Sequence, residues 1–127
     1  MITGIRIDSV EAAREKNDDI EGLDVNIGID EIKINANQIE IKFNYQVNYK
    51  QNIGYLKMKG VIYTQEETKR TKEIEKTWTE QRKLPDDFSE MILNAINFTC
   101  GTNGVLVVRP VNLAPPMVPP KIQIKRD

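Results

Sequence analysis

The segment Gln38–Tyr49, QIEIKFNYQVNY, is apolar or aromatic at every odd position and polar at every even one. Ile39, Ile41, Phe43, Tyr45, Val47 and Tyr49 fall on one side, and Glu40, Lys42, Asn44, Gln46 and Asn48 on the other. Only a β-strand has a side-chain repeat of two, and only a sheet with one covered face uses such a strand. This stretch therefore predicts a long, half-buried strand in an antiparallel sheet. KQNIG turns the chain, and YLKMKGVIY returns with Leu56, Met58 and Ile62 on one face and Lys57 and Lys59 on the other. Upstream, Leu23, Val25, Ile27 and Ile29 alternate on odd positions, then Ile32 and Ile34 on even ones. A slip of one residue inverts the faces, so a β-bulge is expected near Asp30-Glu31. ITGIRIDSV alternates through Ile5 and Ile7 and predicts a first strand, whereas the polar AAREKNDDIEG predicts a loop or frayed helical turn up to Gly22.

The period then changes. TQEETKRTKEIEKTWTEQRK opens with Thr64 and Glu67 at capping-box spacing, has acidic residues early and ends on Arg82-Lys83. Its apolar content is chiefly Ile74 and Trp78, so it predicts a surface helix docked through a narrow stripe. A second helix is expected from an Asp86 cap, with Phe88, Met91, Ile92, Ala95, Ile96 and Thr99 on one face and Gly101 closing it. TNG then reads as a turn, VLVV as an extended run, and RPVNLAPPMVPP as a stiff proline tract. The order specifies an α+β fold over residues 1–127, taken as a single domain. A four-stranded antiparallel sheet (meander or Greek key) is followed by two helices on one face and an extended, proline-rich C-terminal segment.

Composition narrows the chemistry. The chain has no histidine and one cysteine, Cys100, which excludes an internal disulfide and an imidazole-dependent catalytic relay. A zinc site would have to be built from carboxylates. Acids and bases are scattered, so no enzyme, cofactor or metal site is expected; an enzyme for a small ligand would need a polar constellation that is absent from the pattern. Asp18, Asp19 and Glu21 lack the glycine-hinged spacing of a calcium loop and read as solvated loop. Asn97-Phe98-Thr99 matches a glycosylation sequon by chance, inside a helix with no secretion signal. A net charge of −1 with both signs interspersed argues against nucleic acid. The apolar runs look too short to cross a bilayer and the N-terminus has no leader pattern, so a cytoplasmic protein without membrane insertion is expected.

The C-terminal third, LPDDFSEMILNAINFTCGTNGVLVVRPVNL, resembles the end of the SecB export-chaperone family. There a helix follows a proline, ends near a glycine and leads to a Pro-Val-Asn-Phe segment; the counterparts here are Pro85, Gly101 or Gly104, and Pro110-Val111-Asn112-Leu113. The resemblance implies an ATP-independent holdase that binds unfolded or non-native polypeptides in apolar grooves of a homo-oligomer, a dimer or a tetramer built as a dimer of dimers. SecA coupling in that family uses an acidic sheet face. The polar face of 39–49 carries one Glu, one Lys and neutral amides, so SecA coupling lacks its surface here. Candidate peptide contacts are Tyr45, Tyr49, Tyr55, Met117 and Val118. Phe43 reads as core, while Tyr45 and Tyr49 suit either the core under the helices or the rim of a groove. Trp78 is assigned to helix or subunit packing, and Cys100 to no role. The alternative reading is a non-enzymatic structural or adaptor protein that uses the same fold for self-association with a dedicated partner.

Overall fold

The computed structural model describes residues 1–116. Its strands are β1 (Ile2–Arg14), β2 (Leu23–Asn35), β3 (Gln38–Tyr49) and β4 (Gly54–Gln65), followed by helices α1 (Thr68–Gln81) and α2 (Asp86–Val108). The sheet order is β1-β4-β3-β2 with every pair antiparallel, so a β2-β3-β4 meander receives β1 back against its last strand. The odd residues of β3 are buried throughout and its even residues are half-exposed. Leu56, Met58 and Ile62 of β4 continue the same apolar face, and α2 covers it with Phe88, Ile92, Ile96, Cys100 and Val108. The α+β architecture with both helices on one side of an antiparallel sheet is as expected.

The expected bulge lies between Ile29 and Glu31. A second one, between Ile7 and Ser9, has the same effect on β1: Ile5 and Ile7 share a face, and after the extra residue Val10 and Ala12 take it over. β1 therefore runs on through Ala12, Ala13 and Arg14, which pair with Leu56, Tyr55 and Gly54, and only the residues after Arg14 form the expected loop. The tertiary partner overrides the weak local preference of Glu11–Arg14.

Three helix-end expectations are corrected. Thr64 stays inside β4, paired with Ile39, so no capping box forms and Glu67 holds the N-cap position of α1. Arg82 is not a last-turn cation but the left-handed C-cap (φ 55°), its N–H donating to the Trp78 carbonyl at 2.9 Å. Asp86 opens α2 rather than capping it; Pro85 is the N-cap, and its carbonyl accepts from Ser89 N–H at 2.8 Å. The narrow docking stripe of α1 is as expected, with Thr71 and Ile74 its buried residues.

α2 also passes straight through Gly101, so the TNG turn and the extended VLVV do not exist. Gly101 and Gly104 are both buried on the helix face toward the sheet, and neither has a positive φ. Here glycine serves close approach: a Cβ on Gly104 would lie 3.1 Å from Leu56 Cδ2 and 3.0 Å from Pro116 Cγ. Nor is RPVNL extended. Arg109–Val111 is a 3-10 turn closed by Asn112 (φ 54°), after which Leu113 N–H donates to the Val108 carbonyl at 3.1 Å and its side chain is buried.

Candidate polypeptide-binding surface

Between Glu90 and Arg109 the sequence of α2 contains no charged residue. A helix with apolar residues on more than one side wants cover on more than one, and the sheet covers only one. The outer face leaves Phe98 62% and Leu106 70% exposed, with Val105 also open. Their spacing of seven and eight residues, with Thr102 between, aligns them in one stripe. The expectation that no apolar run is long enough to cross a bilayer is corrected by the same helix. Asp86–Val111 has the length and holds an 18-residue window of mean hydropathy 1.4, although its inner face is committed to the sheet.

An opening of mixed lining, of about 360 Å³, lies where the C-terminus of α1 and the linker to α2 pass β2. Trp78, Leu84, Leu93 and Ile29 line it together with the polar Arg82, Lys83, Asp86 and Ser89. Trp78 packs against the core cluster, and the Arg82 guanidinium sits 4.9 Å from its ring centroid, a cation–π contact.

A third feature is a groove already filled by the chain itself. After Asn112, residues 113–116 run without helix or strand between the end of β1, the start of β4 and the last turns of α2. Leu113 seals against Gly54 and Pro116 against Gly104. The Tyr49 hydroxyl donates to the Ala114 carbonyl, and Arg14 Nη1 donates to the Asn112 carbonyl at 2.5 Å.

Of the tyrosines singled out by sequence, Tyr45 and Tyr49 lie together on the covered face of the sheet and Tyr55 on the other. Tyr45 and Tyr49 are core residues, 1% and 2% exposed, which removes both from the open rim of a groove in this structure. Burial pushes the Tyr45 phenol up to about 12, with Cys100 and Tyr49 beside it adding to the effect, and its hydroxyl has no partner among the described residues. Burial also raises Tyr49. Tyr55 is half-buried on the opposite, polar side of the sheet, where Lys57 Nζ lies 4.8 Å from its ring and Glu11 raises its phenol. Met117 and Val118 lie outside the described residues. Cys100 is buried, with its thiol pushed up to about 12 by desolvation, the opposite of an activated nucleophile.

The polar sheet face is mixed in charge: Lys42 pairs with Glu31 at 3.6 Å, and Asn44 donates to Asp30 at 2.7 Å. Among the described residues no cluster of three His, Cys, Asp or Glu could hold a metal ion. The exposed α2 stripe was missed by reading one apolar face of that helix. Its signal was the absence of charge on the other face.

No known family profile matches the sequence, and no curated protein matches it. Among solved structures, the chain is similar to the SecB-like chaperone Rv1957 of Mycobacterium tuberculosis, solved in complex with a ChAD peptide from the Rv1956 HigA1 antitoxin. The TM-score is 0.62 at 10% identity, over 91% of this chain and 82% of that one. At that identity the likeness establishes a SecB-like fold.

Proposed function

We propose that the protein is an ATP-independent, non-enzymatic polypeptide-binding protein of the holdase type, acting in the cytoplasm as a homo-oligomer. The observation that carries this reading is the fold shared with a SecB-like chaperone that holds a peptide. The exposed Phe98–Leu106 stripe supports it, because a monomeric protein seldom leaves a charge-free apolar strip in water without a partner to cover it. Unfolded chains, rich in apolar segments, are one such partner, and another copy of the chain is a second. The same stripe favours the alternative, a structural or adaptor protein whose apolar face is used up in self-association.

Suppression of aggregation of an unfolded model protein, without nucleotide, separates the two. Wild type at several-fold molar excess should lower light scattering, and Phe98→Asp with Leu106→Asp should abolish the effect while leaving the circular dichroism unchanged, since both side chains are outside the core. Absence of any effect from wild type overturns the holdase reading. A strict monomer by light-scattering mass overturns the oligomer.

A further inference from the structure

Residues 113–116 are held as a bound peptide would be. Among the described residues, the polar contacts made to the strap and its hinge from outside α2 go to main-chain oxygens: Arg14 to Asn112 and Tyr49 to Ala114. Arg14 is itself steadied by the Asp18 carbonyl, to which Nη2 donates at 3.0 Å. Contacts of this kind do not read side chains, so they accept any extended backbone. The apolar notches are made by glycines. A Cβ on Gly54 would sit 3.0 Å from Leu113 Cδ2, and one on Gly104 the same distance from Pro116 Cγ. Pro115 and Pro116 bring no N–H and hence ask for no acceptor from the apolar floor.

We propose that this groove is a docking site for an extended, apolar, proline-containing polypeptide, and that Leu113–Pro116 occupies it in cis as a pseudo-ligand which an incoming segment must displace. The proposal rests on the polypeptide-binding reading and names one site of it together with its regulation. The strap is tethered through the Arg109–Val111 turn and the left-handed Asn112, and such a short tether gives an effective concentration of about 1 mM. A peptide that would bind the open groove with a Kd of about 10 μM is then weakened about a hundredfold in the intact chain.

The test uses the full chain, with a fluorescein-labelled peptide of the sequence RPVNLAPP (residues 109–116) as probe. Leu113→Ser with Pro116→Ser removes the two apolar anchors of the strap and leaves the residues of the groove itself unchanged. This variant should bind the peptide about a hundredfold more tightly than wild type in fluorescence anisotropy. A variant with wild-type circular dichroism that binds within twofold of wild type overturns the proposal. An independent measurement needs no variant: unlabelled peptide at millimolar concentration should move the Leu113 methyl and Ala114 resonances of isotope-labelled wild type toward random-coil positions, because displacing the strap takes Leu113 from Gly54 and the Ala114 carbonyl from Tyr49. Unchanged resonances overturn the proposal even if the variant fails to fold. Client holding by wild type alongside these negative results leaves the holdase reading standing on another surface. Peptide binding without client holding does the reverse.

Discussion

Gly60 sits in the core face of β4, opposite Phe43 on β3 and Ile7 on β1. A Cβ built there would lie 2.2 Å from the Arg6 carbonyl oxygen and 2.7 Å from Phe43 Cζ. An ordinary C···O approach is about 3.3 Å, so the shortfall against Arg6 is roughly 1 Å. Phe43 can yield by rotating, but the Arg6 carbonyl is part of the β1–β4 ladder, and relief means moving a strand. Overpacking of this kind costs about 1–3 kcal/mol and sometimes more, against which alanine returns about 0.5–1 kcal/mol by restricting the unfolded chain. A clash with backbone belongs at the upper end, so after that offset Gly60→Ala should lose about 2 kcal/mol net. For a chain of this length the unfolding entropy is about 0.27 kcal/mol per kelvin, which converts that loss to a Tm about 7 °C lower. Gly28→Ala is the matched control: its Cβ would be 2.8 Å from the Asn44 side-chain amide, a flexible group on the polar face. It should cost less than about 1 kcal/mol. Urea titration and thermal melting of both variants decide the matter. Equal losses, or a Gly60→Ala change within about 0.5 kcal/mol, the ordinary range of a surface substitution, would refute the reasoning.

Cys100 should react with a thiol reagent only through opening of the fold, at least about a thousandfold more slowly than in the denatured chain; fast labelling of native protein contradicts its burial. Cys100 and Tyr45 both have raised folded values, so their contribution is intact below the unfolded values of about 8.5 and 10 and is lost as pH rises toward 12. Urea stability should accordingly decline above pH 9, less steeply in Cys100→Ala. Asp87, held low first by its hydrogen bond from Arg70 at 2.5 Å, behaves oppositely. Its contribution is present above the unfolded value of about 3.9 and disappears as pH falls through the lower folded one. Because the carboxylate is largely exposed, the difference between wild type and Asp87→Asn across pH 5 to 2 should stay under about 1 kcal/mol.

The sheet was legible because β3 and β4 each keep strict alternation and because the odd-to-even slip at Asp30 has one physical meaning. The continuation of β1 was hidden by a second slip of the same kind: one bulge at Asp8 moved the apolar set from Ile5 and Ile7 to Val10 and Ala12. Gly101 misled because local chemistry treats glycine as a helix stop, while here it lies buried inside an unbroken helix. Thr64 misled for a related reason, since capping-box spacing says nothing about whether the preceding strand has ended. Tyr45 and Tyr49 lie in the covered face of the sheet, and one sequence cannot tell an aromatic there from one at the rim. The strap was recognisable as a stiff tract at Pro115-Pro116, but what it covers depends on Gly54 and Tyr49, more than sixty residues away in the chain.

The slender attachment of α1 has a consequence for how the molecule breathes. Two buried side chains, Thr71 and Ile74, secure it, helped by Trp78 and the Arg70–Asp87 pair. The Thr64 and Thr71 hydroxyls are buried without a partner among the described residues, and an unsatisfied hydroxyl weakens the seam it lies in. Elements held so lightly open at free energies well below that of global unfolding, whereas the β3–β4 pair is protected until the whole fold is lost. Amide exchange should therefore grade the chain from α1 inward. Each excursion of α1 would bare Ile74 and Trp78 for a moment while the sheet beneath stays intact, so the area of apolar surface this protein shows to its surroundings fluctuates in time.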